Sequence, residues 1–348
     1  MDIERLKRWF LAYKRKLPWR ENPTPYQVWI SEVMLQQTQV SVVIGYYFRW
    51  MEVFPTIEAL AESSLEKVIK IWEGLGYYSR ARRLHQAAQD IMKYHEGKLP
   101  DNEKDLAAIA GLGPYTVNAI LSFAFHKKAA AVDGNVVRVI TRYEGLLQDV
   151  TQPKILQLLR ERVYELLPDK EPWVVMEALI EFGALICKKK PECFRCPIRL
   201  SCKAYADKNP HDYPLKKPRP VVTKLYHLVC LIEYENYVLL YQEVDKGKRM
   251  ADLWGFPFVE LNDSSNEDKC PTEFSKLFKS PPEFLEKLPR IEQSFTRYQA
   301  HLFPSRFKAS EAPLIPGYHW IEKANLLEYP FSSGHKKLAA TLVVKSLI

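Results

Sequence analysis

At 348 residues, with 47% hydrophobic and 12% aromatic side chains, the chain has material for more than one core and is long for a single domain. No apolar run approaches the ~20 residues that span a bilayer, and the charged start MDIERLKRWF lacks a secretory apolar region, so the expectation is a cytoplasmic, monomeric protein with no membrane partner. Of the net charge of +8, residues 126–220 hold +6, and 188–219 alone carry ten basic side chains against three acidic; such a patch beside cysteines suits a polyanion partner better than a merely solvated face.

Residues 1–18 have the spacing of an amphipathic helix, with Ile3, Leu6, Trp9, Phe10 and Tyr13 on one side, ended by Leu17-Pro18-Trp19-Arg20. Tyr26 to Tyr47 is helical in pattern with a break near Gln37-Thr38. Glu32 lies in that stretch among Val28, Trp29, Ile30, Val33, Met34 and Leu35. It is either on the outer face or partly desolvated, and desolvation raises a carboxyl pKa toward the range where it serves as a general acid. The amides that follow, Gln36-Gln37-Thr38-Gln39, suit base edges and favour the second reading. Residues 56–71 read as one helix, and 72–78 as a glycine-broken turn before Arg80, Arg82 and Arg83. Aromatics beside such a turn suit wedging into a base step, or plain packing.

Leu106, Ile109 and Leu112 space a short helix, Gly111-Leu112-Gly113-Pro114 breaks it, and Thr116 to Phe125 forms the next. A glycine-flanked hairpin of this kind can turn backbone N–H groups of Gly111 and Gly113 toward a phosphate, and its carbonyls are a candidate seat for a structural cation. Asp133, in Val132-Asp133-Gly134-Asn135, is an N-cap for the next helix or an acid in an apolar, glycine-bounded setting. Helices continue over 136–146, 153–167 and 172–187; in the last, Glu177 and Glu181 are one turn apart and one of them is expected to face inward. The whole of 1–187 reads as helical.

Cys187, Cys193, Cys196 and Cys202 fall within sixteen residues, spaced x5, x2, x5. In a cytoplasmic chain this argues for metal over disulfides, and four thiolates in one loop can hold zinc or a 4Fe–4S cluster; a single CxxC rather than two favours iron–sulfur. Residues 204–224 are rich in proline and lysine and read as a linker. Beyond it the period becomes extended: 226–234 and 237–243 as a hairpin, then 253–259, 291–308 and 314–321, with 272–288 helix-like. The expected fold class is multi-domain: an all-α part over 1–203 that contains the glycine-flanked helix hairpin, and an α+β domain over 225–348.

The stretches SEVMLQQTQV (31–40), WEGLGYYSRARRLH (72–85), GLGPYT (111–116), VDGNVVRV (132–139) and GALIC (183–187) resemble MutY-type adenine DNA glycosylases of the helix-hairpin-helix superfamily. The C-terminal part is similar to that family's Nudix-like (MutT-like) domain. The resemblance implies excision of adenine mispaired with 8-oxoguanine or guanine in double-stranded DNA, and a 4Fe–4S cluster on the four cysteines. It gives Glu32 the role of general acid, Asp133 that of the carboxylate facing the sugar cation, and Asn135 and Tyr115 supporting roles. Trp19, Arg20 and Glu177 match the pocket for the flipped base, and Leu35, Gln37 and Tyr77 match residues that wedge into the duplex. Tyr115 stands where strand-cutting relatives have lysine, so a monofunctional enzyme is implied. Three departures stand out. The first cysteine gap is five residues where the family has six. The lesion-reading Phe-Ser-His loop is Phe295-Thr296-Arg297. No RExxEE box follows Trp254, so nucleotide hydrolysis is not expected.

Overall fold

A computed structural model describes residues 1–215, 221–245, 250–261 and 270–345. Two compact units emerge, one of Met1–Glu62 with Arg83–Pro218, the other of Ser63–Arg82 with Arg219–Ile348.

In the first unit the Asp2 carboxylate accepts from Arg5 N at 3.0 Å and starts α1 (Ile3–Tyr13), which ends well before Pro18. One 3-10 turn, Pro18–Arg20, follows. A capping box opens α2 (Pro25–Leu35): Thr24 Oγ1 accepts from Gln27 N, and the Gln27 side chain accepts from Thr24 N. Because α2 is apolar nearly all round, it is buried nearly all round, with Trp29, Ile30 and Met34 inside. Gln37, at φ 59°, turns the chain into α3 (Val40–Val53). The single helix expected over 56–71 is two, α4 (Ile57–Glu62) and α5 (Leu65–Trp72), because Ser63-Ser64 interrupts it and Ser64 Oγ caps α5 by accepting from Lys67 N. The break coincides with the passage from one unit to the other.

Helices α6 (Ser79–Tyr94), α7 (Glu103–Ala108) and α8 (Pro114–Phe123) come next. Gly111, at φ +94°, makes the hairpin turn between α7 and α8, where a Cβ would meet Arg83 Cβ at 2.9 Å. Proline's fixed φ starts α8 at Pro114, two residues before the expected point. Then come α9 (Gly134–Glu144), α10 (Pro153–Leu166), α11 (Pro172–Leu185) and α12 (Lys203–Ala206). Val175, Met176, Leu179 and Phe182 of α11 form the centre of the core, against Leu6 and Phe10 of α1 and Val136 and Ile140 of α9. Each such side chain contributes about 1.5–3 kcal/mol by burial. Of the 204–224 stretch expected as a linker, Ala204 to Ala206 finish α12, 216–220 lie outside the described residues, and Thr223 opens the first strand.

The second unit holds β1 (Thr223–Tyr234), β2 (Tyr237–Gln242), β3 (Trp254–Gly255), β4 (Phe258–Leu261), β5 (Glu283–Lys287), β6 (Ile291–Phe295), β7 (Tyr298–Lys308) and β8 (Tyr318–Glu322). The sheet runs β3-β2-β1-β7-β5, with β4 on β1, β6 on β7 and β8 on β2. The central pair β1–β7 is parallel, in register from Thr223↔Tyr298 to Glu233↔Lys308. Alternation along β1 sends Val229 and Leu231 to one core and Leu228, Cys230 and Ile232 to another, so the strand is covered on both faces. The helix-like 272–288 resolves into one turn, α13 (Thr272–Ser275), and strand β5, because Pro281-Pro282 cannot continue a helix. A closing helix, α14 (Ser333–Lys345), unforeseen from periodicity, covers the first face through Leu338, Ala339 and Leu342. Among the described residues no helix is long and apolar enough to cross a membrane.

Candidate active site

Glu32 lies on α2, buried to 8% exposure, and accepts a hydrogen bond from the Tyr115 hydroxyl at 2.6 Å. Burial raises its pKa from 4.5 to about 7; the Tyr115 bond and Arg20 pull it down, while Asp133 and Glu177 push it further up. Tyr115 comes from the first turn of α8, directly after the glycine hairpin, so the hairpin fixes how far the hydroxyl reaches.

Asp133 caps α9: its Oδ1 accepts from Asn135 N at 2.9 Å and Val136 N at 2.8 Å, and its Oδ2 accepts from Asn135 Nδ2 at 2.6 Å. The structural and the chemical readings of this acid are therefore compatible, since the capped carboxylate also lines a cavity. Burial raises its pKa, against the three N–H donors and the Arg138 charge. Arg138 in turn donates to Asn135 Oδ1 at 2.8 Å, Gly183 O at 2.7 Å and Cys187 O at 2.7 Å, tying the cap to the end of α11. Gly183 permits this approach; a Cβ there would come within 2.7 Å of Asn135 Cβ and 2.9 Å of its carbonyl oxygen.

One cavity of about 520 Å³ collects Trp19, Arg20, Glu32, Tyr115, Asp133, Asn135 and Glu177, with Leu35 and Gln37 at its lining. That volume is in the range of small-molecule sites. Both Glu177 and Glu181 line it, where one inward acid was expected. They differ in partner. Glu181 is fully buried and holds Arg15 by 2.8 and 2.7 Å bonds and Arg20 Nη2 at 3.1 Å, and these bonds outweigh its burial and lower its pKa to about 2. Glu177 meets Arg20 Nε only at 3.8 Å, and burial pushes its pKa up. Trp19 is fixed edge-on to Tyr47, ring centroids 5.3 Å apart. Arg15, Arg138 and Gly183 are site residues that the sequence reading misses, and Glu181 enters it only as one of two candidate inward acids; the i, i+4 arginine pair Arg138 and Arg142 after a capping acid is the readable signal for Arg138.

Cys187, Cys193, Cys196 and Cys202 line another cavity of the same unit and form no disulfide with one another. Burial pushes Cys196 up to about 12, and each neighbouring thiol adds to it. Buried Arg142, one turn beyond Arg138, gathers the loop by donating to Cys187 Sγ at 3.5 Å, Lys188 O at 2.7 Å, Lys189 O at 3.2 Å and Pro210 O at 2.7 Å. Among the described residues no three His, Cys, Asp or Glu groups converge as a single-ion site.

In the second unit Tyr77, Phe295 and Thr296 line one cavity of about 920 Å³. Tyr77 (φ 49°) and Thr296 (φ 49°) both hold the left-handed backbone that is uncommon outside glycine. Arg297 instead lies over the Tyr298 ring and donates to its hydroxyl at 3.2 Å.

A family profile described as HhH-GPD superfamily base excision DNA repair protein matches residues 30–165, a span that takes in Glu32, Tyr115, Asp133 and Asn135. The adenine DNA glycosylase of Buchnera aphidicola subsp. Baizongia pistaciae is 35% identical over 259 residues, 73% of each chain. The chain belongs to the adenine DNA glycosylase family. A second member of the adenine DNA glycosylase family, from Mus musculus, is 31% identical over 95% of this chain and 75% of its own. Among solved structures, a thermostable thymine-DNA glycosylase superposes with a TM-score of 0.54 at 28% identity, over 59% of this chain and 95% of its own.

Proposed function

We propose that this chain excises adenine mispaired with 8-oxoguanine, or with guanine, from double-stranded DNA by hydrolysing the N-glycosidic bond of a flipped nucleotide. The observation that carries the reading is the pairing of two unlike carboxyls in one cavity: Glu32, buried with a pKa near 7, and Asp133, held by three N–H donors at the N-terminus of α9. Of the two, Glu32 has the single hydroxyl donor and so keeps a proton more readily; Asp133 has donors and a helix dipole that favour its charge. Protonated Glu32 gives its proton to adenine N7, and the glycosidic bond electrons leave with the now neutral base. Ionised Asp133 stabilises the sugar oxocarbenium ion or traps it covalently, and water completes hydrolysis. Both groups reach the same nucleoside only when it leaves the stack, and Trp19, Arg20 and Glu177 line the space that would receive it. Leu35, Gln37 and Tyr77 take the wedge role, and Thr296 and Arg297, at the positions of the family's lesion-reading loop, take that of reading the opposite base.

Cys187, Cys193, Cys196 and Cys202 are the residues to hold a 4Fe–4S cluster: four soft donors line one cavity, and their x5, x2, x5 spacing with a single CxxC fits a multi-iron group better than zinc. Bound there, the cluster supplies cross-linking of the loop, which would fix Lys188, Lys189, Lys190, Arg195 and Arg199 for phosphates. The hairpin at Gly111 and Gly113 offers backbone N–H groups to the same backbone.

The test is a synthetic duplex carrying 8-oxoguanine:A, incubated with protein and then treated with alkali. Breaks at the adenine with wild type and their loss in Glu32→Gln are expected; absent breaks, or undiminished ones in the variant, refute the reading. Since Tyr115 has no amine, borohydride should trap no adduct.

A further inference from the structure

Glu73 ends the segment before the Gly74-Leu75-Gly76-Tyr77 turn, and its side chain is only 4% exposed. Its Oε1 accepts from Phe331 N at 2.8 Å, and its Oε2 from Lys70 Nζ at 3.1 Å and from Lys336 Nζ of α14. Lys70 Nζ also donates to Tyr329 O at 2.9 Å, and the Tyr78 hydroxyl to Phe331 O at 3.4 Å. On either side of this knot, Trp254 Nε1 donates to Glu66 at 2.9 Å, and Arg82 Nη1 to Asp252 at 3.0 Å and Ala251 O at 3.1 Å. A buried carboxylate shared by two ammonium groups and an amide is an expensive thing to leave half-made, so the segment around the turn is committed to the C-terminal fold.

The turn itself needs outside support. Gly74 (φ 103°), Gly76 (φ 72°) and Tyr77 (φ 49°) all have left-handed backbone, and for tyrosine such a conformation persists only where its surroundings over-determine it. Tyr77 is 41% exposed, with the Arg80 guanidinium 5.7 Å from its ring centroid, so burial alone does not hold it. Thr296, across the cavity, is in the same backbone state.

We propose that Glu73 is a positioning residue: it clamps the Tyr77 turn to Phe331 and Lys336 so that Tyr77 and Thr296 present one preset surface to the base opposite the adenine. The role of that surface rests on the function proposed above; the clamp does not.

Two measurements on the full chain separate these. Amide hydrogen exchange at 74–78 and at Phe331 reads the clamp, and single-turnover excision from 8-oxoguanine:A and G:A duplexes reads its use. In Glu73→Ala, exchange at these amides should rise at least tenfold while that of α1 and α11 is unchanged, as expected for a local opening. The ratio of the two excision rates should fall about tenfold, the factor that corresponds to 1.4 kcal/mol. Glu73→Gln, which keeps an acceptor for Phe331 N, should restore part of both. Unchanged exchange overturns the clamp, and raised exchange with an unchanged ratio overturns its positioning role. If wild type shows no preference between the duplexes, the lesion reading fails and exchange alone still supports or overturns the clamp. Should Glu73→Ala fail to fold, Lys336→Ala, which removes a half-exposed partner, must move exchange and ratio the same way by less, and no movement refutes the proposal.

Discussion

Replacing Glu32 with glutamine should abolish excision and at the same time stabilise the protein, in a manner set by pH. The folded carboxyl has its pKa raised from 4.5 to about 7, chiefly by burial. Below pH ~4.5 the group is protonated folded or unfolded, and the variant has no advantage. Between ~4.5 and ~7 the unfolded chain releases a proton that the folded chain retains, so wild type loses stability as pH rises. Above ~7 the folded chain bears the full penalty of an ionised group in a dry site. At about 1.4 kcal/mol per pH unit, the interval from 4.5 to about 7 amounts to about 3 kcal/mol. Glutamine resembles the neutral acid in shape and can still accept from Tyr115. For a helical unit of this size, about 3 kcal/mol raises Tm by roughly 6–12 °C. Thermal unfolding followed by far-ultraviolet circular dichroism at pH 4.5, 6, 7 and 8.5 should give a Tm difference that starts near zero and levels off above pH 7. A difference independent of pH, or one favouring wild type at pH 8.5, would refute the argument that burial holds a proton on Glu32.

Four other outcomes follow from the same geometry. Tyr115→Phe removes a bond that favours the ionised form of Glu32, so the falling limb of the single-turnover rate should move to higher pH; movement to lower pH contradicts the assignment. Gly183→Ala forces α11 away from Asn135 and should slow excision by about a hundredfold, the scale of a misplacement of ~1 Å, with little loss of DNA affinity. Glu181→Gln leaves Arg15 without its carboxylate and Arg20 with only the more distant Glu177, and should cost about 3–5 kcal/mol at neutral pH. That difference shrinks as pH falls from ~4.5 toward about 2, where wild-type Glu181 itself is neutralised, as acid-titration of Tm will show. Cys193→Ser should reduce iron and sulfide content together; retention of both would remove Cys193 from the cluster assignment.

Much of the first unit was readable because its elements announce themselves chemically. The capping acid Asp133, proline at the start of α8 and the glycine of the hairpin each dictate local backbone without tertiary help. Glu32 was legible as an acid in apolar company, and burial on α2 follows from an apolar surface with no polar side. What was not legible depends on contacts between distant residues. That Glu177 and Glu181 both face the cavity follows from how α11 meets Arg15 and Arg20, about 160 positions earlier in the chain. Ser63-Ser64 divides a stretch whose apolar spacing continues through it, and only the partners of α5 decide which unit it joins. In the second unit, short strands paired by a parallel ladder and a 13-residue closing helix with no strong polar face gave weak periodic signals.

The discontinuous make-up of the second unit bears on how the chain can be cut and made. Glu73 waits for Phe331, 258 residues downstream, and Arg82 for Ala251, 169 residues on. During synthesis the early strip must stay uncommitted until nearly the last helix has left the ribosome, a long-range closure that slows folding. Cutting the gene after the cysteine loop would therefore not subtract a module; it would strip Glu66, Lys70 and Glu73 of their C-terminal partners and leave the Glu73 carboxylate with Lys70 but without Phe331 N and Lys336.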